Sequence, residues 1–292
     1  MKTRKIFLAQ VALLLMFLFN VAACASRYRG FTFEIIDDGS AVMITGYNGN
    51  DIDLEIPSRV RNLPVTAIGI GAFWGNNLSS VTIPESVTSI DLNAFGNNRL
   101  SFIDIPYGVT HIGPAAFIYN SLTSIVIGDW ITSIGPSSFR NNQLTSVIIG
   151  DNVTHIGSSA FAGNQLTEFD IPDGITSIFP EAFRDNLLTD VSIPVGVTNI
   201  GGWAFASNEL TNIVIPGGVT RIEEGAFYDN PLVRIKIGAD VILGAAPTGI
   251  FLPVTRRIYP GISFEFDYFY RTNGKLAGTY VYRDGVWMFE GQ

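Results

Sequence analysis

Apolar and polar residues alternate along this chain in short runs, and the runs restart every 22 residues. Each unit opens on a leucine followed by two inward positions, as in Leu100-Ser-Phe-Ile103-Asp-Ile105, and the leucine recurs at Leu78, Leu122, Leu144, Leu166, Leu188, Leu210 and Leu232. Alternation of this kind predicts a strand with one face buried. Pro or Gly then stops the ladder and turns the chain, as at Pro84, Pro106, Gly128 and Gly150. A second extended stretch follows, such as Val109-Thr-His-Ile112, and Gly113 marks another bend. Ala116-Phe117 and its equivalents close the unit, as a 3-10 or short helical turn rather than a full helix.

Two residue types hold one place in every unit. Phenylalanine stands at 73, 95, 117, 139, 161, 183, 205 and 227, and three residues on come Asn76, Asn98, Asn120, Asn142, Asn164, Asn186, Asn208 and Asn230. A fixed period in this range predicts a solenoid, in which no unit can bury its own apolar face and each stacks on its neighbours. The phenylalanines should then form an internal column. The asparagines should form a structural ladder, because an amide can both accept from and donate to the inward-facing backbone of a tight corner. Thr88, Thr110, Thr132, Thr154, Thr176, Thr198 and Thr220 suit a strand position with contacts between rungs. Eight rungs at about 4.8 Å spacing would make a rod of roughly 35 Å.

From Ile56 to Val241 this pattern resembles the BspA-like class of bacterial leucine-rich repeats, whose unit reads L-x-x-I-x-I-P…V-x-x-I-G-x-x-A-F-x-x-[CN]. The resemblance implies a mainly β leucine-rich-repeat solenoid. It also implies the role associated with that class, a non-catalytic surface protein that binds host or neighbouring-cell proteins in adhesion. One departure is an insert, Arg59 to Pro64, expected to bulge from the first unit.

The organisation read from the chain is a signal peptide over 1–23, a linker and capping hairpin over 24–50, the solenoid over 51–243, and a linker with a C-terminal tail over 244–292. The hairpin pairs Phe31–Ile35 with Ala41–Thr45 around Asp37-Asp38-Gly39. The tail reads as a three-stranded antiparallel meander of Phe264–Tyr270, Thr279–Tyr282 and Val286–Phe289. Its aromatics either cap the last rung or offer a stacking platform to an envelope polysaccharide, with Trp287 as the residue to replace.

Lys2, Arg4 and Lys5 precede an apolar stretch, Ile6 to Phe19, too short to span a bilayer and suited to export. Val21-Ala-Ala-Cys24 resembles a bacterial lipobox, which implies lipidation at Cys24, the single cysteine of the chain. An ordinary secretory signal with an incidental cysteine is the alternative. Loss of the three leader cations would take the formal charge from −8 to about −11. A chain this acidic lacks the basic footprint of a nucleic-acid binder, and with 47% hydrophobic and 15% charged residues it is not a disordered one.

Catalytic, cofactor and metal motifs are not found. His111 and His155, the two histidines, lie two rungs apart at a variable position, roughly 10 Å by rung spacing and too far to share a metal ion. The alternating Asp51-Ile-Asp-Leu-Glu55 reads as a solvated strand face. The positions free of the repeat's demands remain: Phe102, Asp104, Tyr107, Val126, Trp130, Ile148 and Asp170. They form a candidate ligand surface, unless β-branched residues stand there only because strands favour them.

Overall fold

Alternation folds each unit into two short extended segments joined by bends, and the units stack as a β-solenoid. The computed structural model describes residues 28, 30–244, 251–253, 265–284 and 286–291. It has about nine turns, one more than the phenylalanine rhythm counts. Rungs two to nine open at Leu78, Leu100, Leu122, Leu144, Leu166, Leu188, Leu210 and Leu232. The ninth is recognised by backbone pairing, of Arg234–Ile237 on Asn212–Val214 and of Ile242–Leu243 on Arg221–Ile222. Main-chain pairing needs no phenylalanine, so the column understates the coil.

Phe73 to Phe227 form the expected column. All are buried, successive rings lie within 11° of parallel, and their centroids are 5.1 to 6.0 Å apart. Beside them the amides bridge rungs. The Asn142 oxygen accepts from Leu122 N–H at 3.0 Å, while its nitrogen donates to Phe117 O at 2.9 Å and Phe139 O at 3.2 Å. The same set recurs from Asn98 to Asn230. Asn76, in the first rung, donates instead to Tyr47 O of the hairpin. The closing turns carry 3-10-type bonds, such as Ala116 N–H to Gly113 O, but do not run on as helix. Ala115 and Tyr119 have φ of 53° and 54°, which aims alternate N–H groups at the next rung: Phe117 N–H donates to Ser138 O.

The ladders are not continuous. On the first strand column, pairing joins Asp53–Glu55 to Ser80–Thr82, Ser124–Ile127 to Ser146–Ile149, and Asn212–Val214 to Arg234–Ile237. No strand is assigned at 102–105, 168–171 or 190–193, although Ile103-Asp104-Ile105 keeps its buried, exposed, buried alternation. Pro106, Pro172 and Pro194 follow those segments and bring no N–H to the ladder, whereas Gly150 N–H donates to Ile127 O at 2.8 Å. The second column runs unbroken from the hairpin to His155–Ile156, then restarts at Ser177–Ile178. At that joint the ring spacing is widest, 6.0 Å between Phe161 and Phe183, with Phe169 against both rings. Phe179 there occupies the bend that glycine fills at 157 and 201, where an added Cβ would strike the backbone of the preceding rung at 2.5 to 2.9 Å. The bulkier side chain and the Phe169 wedge explain the interruption.

Both ends are covered. The hairpin of Phe31–Ile36 and Ala41–Tyr47 pairs in parallel with Leu63–Ile68 and lays the Phe31 and Tyr47 rings on Phe73. The expected bulge is itself a tight hairpin, Arg59–Val60 against Leu63–Pro64, turning on Arg61 and Asn62 at φ 50° and 66°. The tail corrects the reading of a three-stranded meander. Glu265–Thr272 is an α-helix, and only Gly278–Arg283 and Val286–Gly291 are strands. Phe266 and Tyr270, four residues apart, share one helix face in the core, a period that Phe-Glu-Phe-Asp-Tyr hides. The hairpin finds its third strand in the last rung, pairing antiparallel with Arg234–Ile237.

Candidate functional site

In the first strand column, alternate residues point outward, and parallel pairing sets like positions side by side. Ile148 is level with Val126 in that register, 66% and 57% exposed, over the buried Ile125 and Ile127. The repeat places the exposed Asp104 before this pair in the same column and the exposed Asp170 after it. One column over stand Phe102, Ser124, Ser146 and Glu168; along the bend stand Tyr107, Asp129, Asp151 and Asp173. Phe102 and Tyr107 are 62% and 72% exposed. Trp130 is only half-buried and packs on Tyr107 with centroids 4.9 Å apart. Its indole N–H is covered and has no acceptor among the described residues.

Where the ladder fails between rungs two and three, the chain leaves a groove of about 380 Å³. Phe102, Glu85, Asp104, Thr82 and Pro106 contribute to its walls. Sequence reasoning placed Phe102 and Asp104 on this face but missed the groove. The legible signal was Pro84 and Pro106 in successive units. Further towards the hairpin, the Ser79 and Ser80 hydroxyls donate to Asp53 at 2.8 and 2.7 Å; these bonds favour the carboxylate and hold Asp53 below the usual range.

The other sequence candidates lie elsewhere. His111 and His155 flank Ser133 in the second column; one meets the Thr110 hydroxyl and the other the Phe179 ring. Among the described residues no group of three His, Cys, Asp or Glu is placed to hold a metal ion. Of the tail's aromatics, Phe266, Tyr270, Tyr280 and Trp287 are buried together, Trp287 at 3% exposure, so Trp287 offers no stacking face to a ligand. Tyr270 donates to Gly238 O and accepts from Val241 N–H, and Arg271 donates to Leu243 O, which docks the tail on rung nine. Cys24 lies outside the described residues.

A family model described as the BspA type leucine rich repeat region matches residues 53–165 and 132–243, in 6 copies. A leucine-rich repeat protein from Bacteroides ovatus has a similar fold, with a TM-score of 0.61 at 21% identity over 76% of this chain and 67% of that one. The leucine-rich repeat protein of T. pallidum aligns with a TM-score of 0.53 at 27% identity over 61% of this chain and 86% of that one. No curated protein matches the chain.

Proposed function

Because the chain belongs to the BspA-type leucine-rich repeat family, we propose that it is a non-catalytic, exported interaction protein whose strand face captures a protein ligand at the cell surface. The observation that carries this reading is the pair Val126 and Ile148, exposed and level in a ladder that fixes them, with Phe102 and Tyr107 beside them. An apolar patch on a rigid sheet has the anatomy of a binding centre. Adhesion to a host or neighbouring cell is the proposed use. The chain is held at the envelope by lipid on Cys24, a reading that rests on the lipobox resemblance alone.

Each half has its test. Val126→Lys with Ile148→Lys should abolish capture of ligand from envelope and host-matrix extracts while the melting temperature stays within about 2 °C, since both side chains are exposed. Capture that survives the pair removes this surface from the account. Palmitate labelling of the parent but not of Cys24→Ser is the expected sign of the anchor, and equal labelling of both refutes it.

A further inference from the structure

We propose that this face takes a cationic polypeptide segment, its apolar residues seated on Val126 and Ile148 and its Lys or Arg heads set against the carboxylates around them. The inference rests on the reading of this face as a ligand surface and names the partner's chemistry. The centre of the face is flat and aliphatic, because main-chain pairing holds two β-branched side chains at one height. That centre has no aromatic face for a sugar ring to stack on; the exposed rings, Phe102 and Tyr107, stand to one side of it. The aliphatic pair fits the apolar side chains of a polypeptide.

All the charge around that centre is of one sign. Asp104 and Asp170 bound the pair along its column, Asp129 and Asp151 border it on the bend, and Glu168 stands in the column on the other side. Among the described residues none of these five makes an ion pair; the ion pairs involve Glu181, Asp185, Glu223 and Glu290 instead. The repeat's cations lie off this centre: Arg59 and Arg61 in the inserted hairpin, Arg99 ahead of Leu100 on rung three, Arg140 and Arg184 on the closing turns, Arg221 in the second column, Arg234 and Lys236 on the ninth rung. Rungs about 4.8 Å apart put Asp129 and Asp151, one rung from each other, within a Debye length of about 8 Å at physiological salt, while Asp104 and Asp170 flank them three rungs apart. Their potentials therefore add, attracting a basic segment and repelling an acidic one. A second copy of the same face would set carboxylate against carboxylate, which disfavours self-association here.

The groove between rungs two and three adds a place for one side chain. It adjoins Asp104 and is lined by Phe102 with Glu85. That combination suits a Lys or Arg whose stem lies on the ring while its head meets the two carboxylates. The partner thus combines an apolar strip with a cation offset from it by one rung.

Fluorescence anisotropy on the full chain tests this with two synthetic peptides of equal apolar content, one alternating Lys with Leu and the other Glu with Leu, beside poly-L-lysine and a chitosan oligosaccharide. The Lys–Leu peptide should bind at least about tenfold tighter than the other three and weaken as salt is raised. Val126→Ser with Ile148→Ser, and separately Asp104→Asn with Asp170→Asn, should each lower that affinity by more than about tenfold with unchanged melting. Asp104→Lys with Asp170→Lys should narrow the preference for the Lys–Leu peptide further than the Asn pair does, and an unchanged preference would overturn the inference. Binding of poly-L-lysine equal to that of the Lys–Leu peptide would reduce the face to a charge effect. Equal binding of chitosan would remove the requirement for a polypeptide, and a parental preference for the Glu–Leu peptide would reverse the sign. Each of these overturns the inference. If Val126→Lys with Ile148→Lys abolishes capture from extracts yet the Lys–Leu peptide fails to bind, the partner's chemistry is wrong and the surface stands. If capture survives those substitutions, the surface itself is wrong.

Discussion

Asn142 is buried at the seam of two rungs, with its amide oxygen committed to Leu122 N–H and its nitrogen to the carbonyls of Phe117 and Phe139. Removing the amide leaves Leu122 N–H without its acceptor, while Phe117 O and Phe139 O keep the Asn120 and Asn164 amides as donors. An orphaned buried donor costs about 1–3 kcal/mol, so Asn142→Ala should lower stability by roughly 2–3 kcal/mol in urea unfolding. Asn76 is half-buried and makes one described bond, to Tyr47 O, so Asn76→Ala should cost nearer 1 kcal/mol. Equal losses at the two sites would mean that the column does not act through buried backbone. The phenylalanines beside them work by packing. Phe139 has a near-parallel ring 5.5 Å away on either side, and Phe139→Ala belongs with core truncations of about 3–5 kcal/mol.

Among the elements, the terminal caps differ in what they bury. The amino-terminal hairpin extends the second column's own ladder and covers the first phenylalanine with two rings. The carboxy-terminal cap buries two phenols. Burial pushes Tyr280 up to about 12 and raises Tyr270 as well, from the phenol's ordinary 10.0. A phenol whose pKa is higher folded than unfolded binds its proton more tightly in the native state. Its contribution is therefore complete below pH 10 and is lost as pH rises towards 12. Thermal unfolding followed against pH should show a falling midpoint across that window. Tyr47, also raised by burial and bonded to Asp51, contributes to the same fall from the opposite end. Tyr280→Phe should make the fall shallower, and an unchanged pH profile in that variant would mean that this phenol does not titrate with unfolding.

For the molecule as a whole, the unit of construction is the rung, and rungs in register are exchangeable. Deleting residues 122–165 removes two repeats and joins Ser121 to Leu166 without shifting the phenylalanine or asparagine columns. Stability in such arrays is a sum over units and their interfaces. The shortened chain should therefore fold cooperatively, with a urea m-value lower by roughly a sixth, in line with the lost surface. It should also lose ligand capture, because Val126 and Ile148 go with the deleted rungs. A shortened chain that does not fold would show that the array is not built of equivalent units. The deletion also brings rung three directly against rung six and its Phe169 wedge, next to the joint where the second column breaks.

Local chemistry repeated at a fixed interval was enough to read the coil, the ring column, the amide bridges and the covered amino-terminal end. Each depends on contacts between like residues one period apart, and a repeat writes those contacts into spacing. Alternation likewise told which of Ile103, Asp104 and Ile105 faces out. Distances that the period does not encode were settled only in three dimensions. Whether neighbouring strands pair is not set by proline alone, since Ser80–Thr82 and Asn212–Val214 pair ahead of Pro84 and Pro216, and in the second column it follows steric fit across the rung at Phe179. Those departures opened the groove beside Phe102 and widened the joint at Phe161 and Phe183. The tail was misread for the same reason: Phe266 and Tyr270 satisfy both a strand and a helix pattern in so short a run, and burial against the last rung selected the helix. Trp287 and its neighbours became a cap once rung nine supplied the surface they needed, and the ring of carboxylates around Val126 and Ile148 became one field when the coil brought successive rungs to about 4.8 Å.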